Sequence, residues 1–409
     1  MTLVDRKIID FIKKHLPLFI FIGATLIGLI IRYKAIDFQS DDFNSFLNGW
    51  WGIIKNGGAS SLSKQVGNYN IPYQIIIFLM TRLPVEALTA YKLLSIVFDI
   101  ALAFSAALVI SEALKRKFFS FVPALTYTLV FCSITVIFNS AFWAQCDSIY
   151  VTFILLAIYM LRKNRNIWAF VFLGLSLAFK LQVVFILPLF LYYYFSSKKI
   201  SILHFFIIPV VDILVCLPVV FMGRNFLDIF KIYVDQTDYG KLIQMNCPNI
   251  YAFMCNGSDM QYYYLFKPIS IWLTFLVLAV GLCFILYKKV DLTNIENFLF
   301  TAVWTSFSCL MFLSSMHERY SYLLDILLIL YVVVARKHYA IAVISGLVSL
   351  RGYCYYLFGN YEVLTLQWTA VIFVGLYAYT TYVFFKDVII NGKKQEDAPA
   401  IKKKARSNS

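Results

Sequence analysis

The chain has 409 residues, 61% of them hydrophobic and only 14% charged, with a formal net charge of +14. Soluble domains average roughly 45–50% apolar and about 25% charged residues, so this composition excludes a soluble globular protein. The positive charge does not indicate nucleic-acid binding, because the cations form short clusters between long apolar runs, as in the cytosolic loops of membrane proteins. These clusters are Lys13-Lys14, Lys115-Arg116-Lys117, Arg162-Lys163, Lys198-Lys199, Lys288-Lys289, Arg336-Lys337 and Lys402-Lys403-Lys404.

The clusters predict an all-α transmembrane helical bundle of about 12 membrane segments, with both termini in the cytosol. The membrane domain is predicted at residues 1–385, with external loops at 35–70 and 223–267. A basic cytosolic tail, which is expected to be disordered, follows at residues 386–409. No small-residue cleavage site follows the first apolar run, so this run is expected to be a retained anchor.

The first predicted helix runs from about residue 16 to residue 33 and leads outward. Residues 43–54 of the following loop have the apolar spacing of an amphipathic helix, which is expected to lie at the membrane interface. Pro72 opens an apolar piece that is too short to span the bilayer and is predicted to be re-entrant or interfacial. Full spans are predicted at residues 87–114, 118–139 and 147–161.

Residues 167–196 lie between two basic clusters, and both clusters are expected in the cytosol. The chain must therefore enter and leave the membrane within about 30 residues, whereas two complete spans need ~40 residues. Two short helices that meet at Lys180-Leu181-Gln182, inside the outer part of the membrane, satisfy both constraints. Irregular backbone at that depth is tolerated where it lines a protein-walled cavity, so the topology predicts a polar cleft there. The remaining predicted spans are residues 201–222, 269–287, 298–316, 320–335, 340–357 and 366–385.

Several ionisable side chains gather at the predicted outer boundary of the membrane. A charge in the apolar zone costs several kcal/mol, so such side chains usually face a cavity or a partner. The aspartates after the first helix could supply a general base, because a carboxylate with a near-normal pKa is ionised at neutral pH. Alternatively, Asp42 caps the interfacial helix in a solvated loop, or Asp41 and Asp42 together bind a divalent cation.

The triplet His317-Glu318-Arg319 begins a predicted helix at the same boundary. Arg319 can offer a bidentate fork to a phosphate, and His317 and the backbone N–H groups can also donate. The alternative is a snorkelling arginine paired with Glu318, and Lys180 has the same two interpretations. In the turn before residue 147, Trp143 could stack on a sugar while Gln145 and Asp147 bond its hydroxyls, or the turn belongs to an aromatic belt.

The eight cysteines are scattered, and no Cys/His cluster has the spacing of a zinc site. Cys247 and Cys255 lie in one predicted external loop, where they could form a disulfide. No metal ligands are assigned from the sequence, and the need for a divalent metal is left open.

Six stretches of the chain together resemble the GT-C superfamily of membrane glycosyltransferases, over about residues 30–335. The resemblance is greatest to the bacterial branch related to GPI mannosyltransferases, and the layout is similar to the glucosyltransferases that extend lipid-linked oligosaccharides. The last two helices carry little of it. The stretches, in the order of the family, are SDDFNSFL, NYNIPY, FWAQCDSIYVTF, LSLAFKLQVVFILP, CPNIYAF and MHERYSYL.

The resemblance implies an inverting transfer of a hexose from a polyprenyl-phosphate-linked donor to a glycan, glycolipid or protein acceptor. The reaction would take place on the external face of the bacterial plasma membrane, among membrane lipids, with no tightly bound cofactor. Family members commonly work without a bound metal. The sugar and the acceptor are not identified by the sequence.

The resemblance also implies roles for individual residues. Asp42 matches the catalytic base of the family, although Asp41 stands where the family has glycine, so both aspartates are candidates. Donor-phosphate contacts are expected from His317, Arg319, Lys180 and Gln182. Substrate contacts are expected from Tyr69, Tyr73, Trp143, Gln145, Asp147 and Glu318, and also from Arg351, which lies outside the resemblance but at the predicted outer boundary.

Two other classes stay open at this stage. A lipid-linked sugar flippase or transporter needs polar residues in the inner half of its helices, where Asp99 and Asp212 are candidates. A polymerase or ligase of surface polysaccharide shares an external acidic and basic site but uses diphosphate-linked donors.

Overall fold

The computed structural model describes residues 2–238, 240–254, 260–359 and 364–392. Within these ranges the protein is mainly helical, and short π-helical or 3₁₀ segments join many of its helices. Two short strands, β1 (Gln244–Met245) and β2 (Met316–His317), pair in parallel. The α-helices are α1 (Leu3–Lys34), α2 (Asn48–Gly57), α3 (Ile71–Met80), α4 (Ala87–Ala113), α5 (Phe121–Phe131), α6 (Ile134–Ile137), α7 (Asp147–Arg162), α8 (Asn166–Phe179), α9 (Leu187–Ser197), α10 (Ile207–Val220), α11 (Asp228–Thr237), α12 (Met260–Tyr287), α13 (Ile295–Phe312), α14 (Tyr322–Ala335), α15 (Tyr339–Phe358) and α16 (Leu366–Val383).

In the described part of the chain, seven helices are long and apolar enough to cross a membrane, and an eighth results if the bent pair α5 and α6 counts as one span. The prediction of a membrane-embedded all-α protein is therefore confirmed. The count of about 12 membrane segments and the cytosolic location of both termini stay predictions. The seven spans are Leu3–Lys34, Ala87–Ala113, Ile202–Val220, Tyr262–Tyr287, Ile295–Phe312, Tyr339–Phe358 and Leu366–Ile390.

The predicted pair of short helices around Lys180 is confirmed. Helix α8 ends at Phe179, Lys180 has an extended backbone, and a 3₁₀ turn at Leu181–Phe185 leads into α9. Pro188 in the first turn of α9 fits this restart, because its missing N–H would have had no helical partner there. The break places Lys180 at the junction between the two helices instead of within either one.

The first helix, one predicted span and one predicted loop differ in the structure. Helix α1 begins at Leu3, because Thr2 and Asp5 form a reciprocal capping box. The span predicted at residues 118–139 is broken after Phe131 and bends by 48°. The predicted loop 223–267 contains α11 and the first turns of α12, which begins at Met260.

The basic tail begins later than predicted. A π-helical segment, Phe384–Ile390, continues α16 through the first residues of the predicted tail. Its Asp387 carboxylate contacts Lys337 at 3.1 Å and His338 at 2.9 Å, which holds the segment against the adjacent loop. Residues 393–409 lie outside the described part of the chain, so their predicted disorder stays a prediction.

Lys92 of α4 controls the exit of the chain from α1. Its buried ammonium donates hydrogen bonds to the carbonyl oxygens of Ala35 at 2.7 Å and Ile36 at 2.9 Å, and to that of Phe38. These carbonyls end α1 and begin the first loop, so the bonds satisfy acceptors that the helix leaves unpaired. Lys92 therefore sets the direction in which the loop carries Asp41 and Asp42.

A buried ion pair joins α1 to α4 below this point. The Arg32 guanidinium donates to Asp99 Oδ2 through Nε at 3.0 Å and Nη2 at 2.8 Å. Nη2 also donates to the Phe131 carbonyl, which the break after α5 leaves without a helical partner. The Ser140 hydroxyl donates to the same Asp99 oxygen at 2.5 Å. One side chain thus connects α1, α4 and the broken span.

We expect Arg32→Met to destabilise the protein by about 3–5 kcal/mol, because the substitution leaves Asp99 buried without its counter-charge. The double variant Arg32→Met/Asp99→Leu should recover a large part of this loss, since it removes both charges. Reversible unfolding in detergent would measure both effects. A single variant as stable as the wild type, or a double variant no better than the single one, would contradict this account.

Candidate functional site

A cavity of about 310 Å³ lies between the first loop, the 3₁₀ turn after Lys180, the start of α12 and the segment before α14. The cleft predicted at the re-entrant turn is therefore present, because Lys180, Leu181 and Gln182 all line it. Both polar and apolar side chains form its wall. Seven of the predicted site residues line it: Asp42, Tyr69, Gln145, Lys180, Gln182, His317 and Arg319.

Asp42 is the carboxylate in this cavity, and three side chains hold it in place. The Trp143 indole N–H and the Gln145 amide each donate to Oδ2 at 2.7 Å. The Tyr356 hydroxyl donates to Oδ1 at 2.6 Å. Gln145 is itself oriented, because its Oε1 accepts a hydrogen bond of 2.8 Å from Tyr69. Asp42 is thus a positioned carboxylate and not a solvated loop side chain.

The electrostatic surroundings keep Asp42 ionised. Burial on its own raises the pKa of this carboxyl, but the nearby Arg319 guanidinium and the hydrogen bonds from Tyr356 and Trp143 outweigh it. The pKa consequently lies below its ordinary value, and not near it as the sequence suggested. Arg319 Nη1 lies 3.6 Å from Asp42 Oδ2, within ion-pair range. Asp42 can therefore accept a proton throughout the neutral pH range.

Arg319 is held over aromatic rings at the cavity wall. Its guanidinium carbon lies 4.9 Å from the centre of the Trp143 ring and 5.9 Å from that of Tyr320. Burial opposes its charge, but Asp42 and the other acidic groups around it raise the pKa of Arg319 further, so it stays a cation. Within the described residues its buried Nε has no hydrogen-bond partner. The acidic atom near this Nε is Asp147 Oδ2, at 3.9 Å.

Asp147 links Arg319 to the second cation of the site. Its Oδ1 pairs with the Lys180 ammonium, and its Oδ2 lies 3.9 Å from Arg319 Nε. The Asn139 amide donates to Oδ2 at 2.8 Å. Because Asp147 is buried behind the cavity wall, it holds the two cations together and does not reach a ligand. Asp147 does not line the cavity, so its predicted contact with sugar hydroxyls is not supported by this geometry.

The predicted stacking of Trp143 on a sugar is also not supported by the geometry. Its ring stacks on Tyr356 with 3.9 Å between the ring centres and is fully buried. Arg319 covers the ring as well, so no face is open to a sugar. Trp143 instead orients Asp42 through its indole N–H and supports Arg319.

Four other predicted residues lie away from the cavity. The Asp41 side chain is exposed, which leaves Asp42 as the aspartate of the site. Tyr73 is buried behind Tyr69, with 4.7 Å between the ring centres. Glu318 and Arg351 line a separate cavity of about 10 Å³, which is too small for a substrate. Their predicted contacts with substrate are therefore not supported by this geometry.

Some residues that shape the cavity were missed at the sequence level. Tyr356 lies in the aromatic end of α15, where it is indistinguishable by pattern from tyrosines of a membrane interface. Tyr320 lines the cavity next to Arg319, and burial raises its pKa to about 12, although Arg319 opposes this rise. Lys267 also lines the cavity. It could have been found from the sequence, because it is a lone cation just before the predicted span at residues 269–287. The other missed polar residues of the wall are Asn68, Gln236, Thr237, Ser270, Ser314 and Ser315.

Two further predictions concern metal and disulfide chemistry. Within the described ranges no three His, Cys, Asp or Glu side chains form a group that could hold a metal ion. The exposed position of Asp41 also separates it from the cavity in which Asp42 lies. Cys247 is buried, whereas Cys255 lies outside the described residues, so their pairing stays a prediction.

No family model, curated protein or solved structure matches this chain. The resemblance to GT-C glycosyltransferases therefore stays a prediction from the six sequence stretches. The functional assignment depends on the arrangement of Asp42, Arg319 and Lys180.

Proposed function

We propose that the protein is an inverting glycosyltransferase that moves a hexose from a polyprenyl-phosphate-linked donor to an acceptor hydroxyl. One observation carries the proposal: a single membrane-protein cavity brings an ionised, positioned carboxylate together with two cations. Asp42, Arg319 and Lys180 all line this cavity. A general base and a phosphate-binding group are the two functions that such a transfer requires from the protein.

In the proposed reaction Asp42 takes the proton of the acceptor hydroxyl. The acceptor oxygen then forms a bond to the anomeric carbon as the bond from that carbon to the phosphate oxygen breaks. The configuration inverts, the electron pair leaves with polyprenyl phosphate, and the proton stays on Asp42 until solvent removes it. Arg319, His317 and Lys180 stabilise the negative charge that develops on the departing phosphate, in surroundings where such contacts are strong.

The resting ion pairs give this mechanism a further property. Arg319 lies 3.6 Å from Asp42 before any donor is present. A phosphate that draws Arg319 towards itself would weaken the interaction that lowers the pKa of Asp42. The carboxylate would then become a stronger base when the donor is bound, which suits a reaction that should not begin without it.

The donor class is tested with synthetic lipid-linked sugars and the purified protein. We expect transfer from monophosphate-linked sugars, with inversion seen in the NMR spectrum of the product. Mannose, glucose, galactose and N-acetylglucosamine donors would be compared to identify the sugar. Transfer from diphosphate-linked donors alone would instead assign the protein to the polymerases and ligases.

The two acidic residues that a transporter could use have structural partners in the described part of the chain. Asp99 pairs with Arg32, and Asp212 accepts hydrogen bonds from Asn70 at 3.2 Å and Tyr233 at 3.0 Å. These contacts favour the enzyme over the flippase. Movement of lipid-linked sugar across proteoliposomes without covalent transfer would reverse that preference.

Removal of the Tyr356 hydroxyl should change the pH dependence of transfer. Its hydrogen bond helps to lower the pKa of Asp42, so Tyr356→Phe should raise that pKa. Since Asp42 acts in its ionised form, activity is lost as the pH falls through its pKa, and the acid limb of the profile should move to higher pH. A pH profile of kcat/KM would measure the shift. Tyr355→Phe serves as the neighbouring control, and an unchanged acid limb for Tyr356→Phe would contradict the positioning role.

A further inference from the structure

An apolar surface continues from the end of α10 onto α11 without a covering element in the described part of the chain. Phe221 follows α10 directly and is 84% exposed, and Leu227 and Val234 are 65% and 61% exposed. Phe226 and Phe230 are exposed as well, with 6.0 Å between their ring centres. We call these five residues the α11 stripe.

The opposite face of α11 is packed against the protein. Ile229 and Ile232 are buried, and Ile229 belongs to an apolar cluster with Ile71, Cys216 and Val219. Helix α11 therefore has two apolar faces, of which the bundle covers only one. In water an uncovered stripe of this kind is unfavourable, and such surfaces usually mark a contact with a membrane or another partner.

Polar contacts hold α11 in this orientation. Arg224 is buried and donates to Asp228 Oδ2 at 2.6 Å, to the Leu62 carbonyl at 3.2 Å and to Gln65. Tyr233, one turn further along, is hydrogen-bonded to Asp212 at 3.0 Å. The first loop and α10 thus fix α11 from both sides. These hydrogen bonds keep the stripe on the outer face of the protein, because rotation of α11 would break them.

The position of the stripe relative to α10 indicates what covers it. The span Ile202–Val220 has 19 residues, and Val210 and Leu214 on its outer face are exposed as in a helix that contacts lipid. A helix of that length is about 28 Å long, close to the thickness of the hydrocarbon layer. Phe221 therefore lies at the boundary of that layer, and the stripe extends from there.

The charges near the stripe agree with the same placement. Lys231 is exposed on α11 between the apolar residues, and a lysine at this depth can direct its ammonium towards lipid phosphates. Of the two aspartates of α11, Asp228 is paired with Arg224, and Asp235 is exposed after the last residue of the stripe. An apolar stripe beside an exposed cation is the pattern of a helix that lies in the plane of a membrane interface.

We propose that the α11 stripe docks onto the lipid leaflet at which α10 ends, with its apolar residues at the boundary between acyl chains and headgroups. The partner is the bilayer itself. Gln236 and Thr237, at the end of α11, line the cavity described above. Docking of the stripe thus sets the height of the cavity wall relative to the headgroups. This inference does not depend on the reaction proposed for the cavity.

The test is photocrosslinking of the full chain in liposomes that contain a phospholipid with a diazirine close to its glycerol end. Mass spectrometry should find lipid adducts on the stripe at a yield comparable with the exposed face of α1 at Leu26, Ile27 and Ile30. The buried residues Ile229 and Ile232, on the opposite face of α11, should carry none. Adducts on α1 without adducts on residues 221–234 would overturn the proposal.

A matched set of variants separates lipid from a protein partner. Leu227→Ser/Phe230→Ser/Val234→Ser should lose the adducts on the stripe and keep those on α1, while Asp235→Ser should keep both. The buried residues Ile229 and Ile232 are untouched, so the seating of α11 is preserved. Protein–protein crosslinks through a photoreactive amino acid placed at position 234, in place of lipid adducts, would assign the surface to a second copy and contradict the proposal.

Discussion

The Asp42→Asn variant is expected to lose about 10²–10⁴-fold in transfer rate, because general-base catalysis contributes an acceleration of that order. Asparagine has nearly the same size but cannot take the acceptor proton. The fold should persist, since the packing of Trp143 against Tyr356 does not require the charge of residue 42. Initial rates with a polyprenyl-phosphate sugar and circular dichroism of the purified protein measure the two effects.

Asp41→Asn is the matched control for this prediction. It makes the same chemical change one residue earlier, on a side chain that is exposed and does not line the cavity. We expect it to retain transfer within a few-fold of the wild type. Loss of activity in Asp41→Asn with retention in Asp42→Asn would reverse the assignment of the base.

The Arg319→Ala variant is expected to lose about 10²–10³-fold in kcat, as is typical when one group that stabilises developing charge is removed. The apparent affinity for the donor should fall too, because the guanidinium also holds the phosphate in the ground state. Burial raises the pKa of Asp42 and Arg319 lowers it, so the loss of Arg319 should raise this pKa. The acid limb of the pH profile should then move to higher pH.

Two variants control for the charge and the geometry of Arg319. Arg319→Lys keeps the cation but not the planar fork, so partial recovery would show how much of the effect depends on bidentate geometry. Arg351→Ala removes a cation that lies outside the cavity and should leave donor kinetics nearly unchanged. Equal donor kinetics for Arg319→Ala and the wild type would exclude the phosphate role.

The helical architecture was largely accessible from the sequence because lysine and arginine clusters mark the ends of apolar runs. The same clusters identified the break at Lys180, since 30 residues between two cytosolic flanks are too few for two spans. The break after Phe131 was not accessible. At that break the Arg32 guanidinium donates a hydrogen bond to the free Phe131 carbonyl. The two residues are 99 positions apart, so no local pattern shows this contact.

The site was predictable where a polar side chain sits at a topologically marked position, as with Asp42, Lys180 and Arg319. The contacts that cover a side chain were not predictable. Trp143 was expected to stack on a sugar, but Tyr356 of α15 stacks on its ring. Asp147 was expected to bind hydroxyls, but its carboxylate pairs with the ammonium of Lys180, which lies at the break between α8 and α9. Such contacts join distant segments, and no local pattern records them.

The central claim is tested most directly by donor binding and turnover in the same preparation. Purified wild type and Asp42→Asn, both in detergent, would be incubated with a synthetic polyprenyl-phosphate sugar and a panel of acceptors. We predict that both proteins bind the donor and that only the wild type transfers the sugar. Equal turnover by both proteins, or no donor binding by either, would contradict the assignment of this cavity as a glycosyltransferase site.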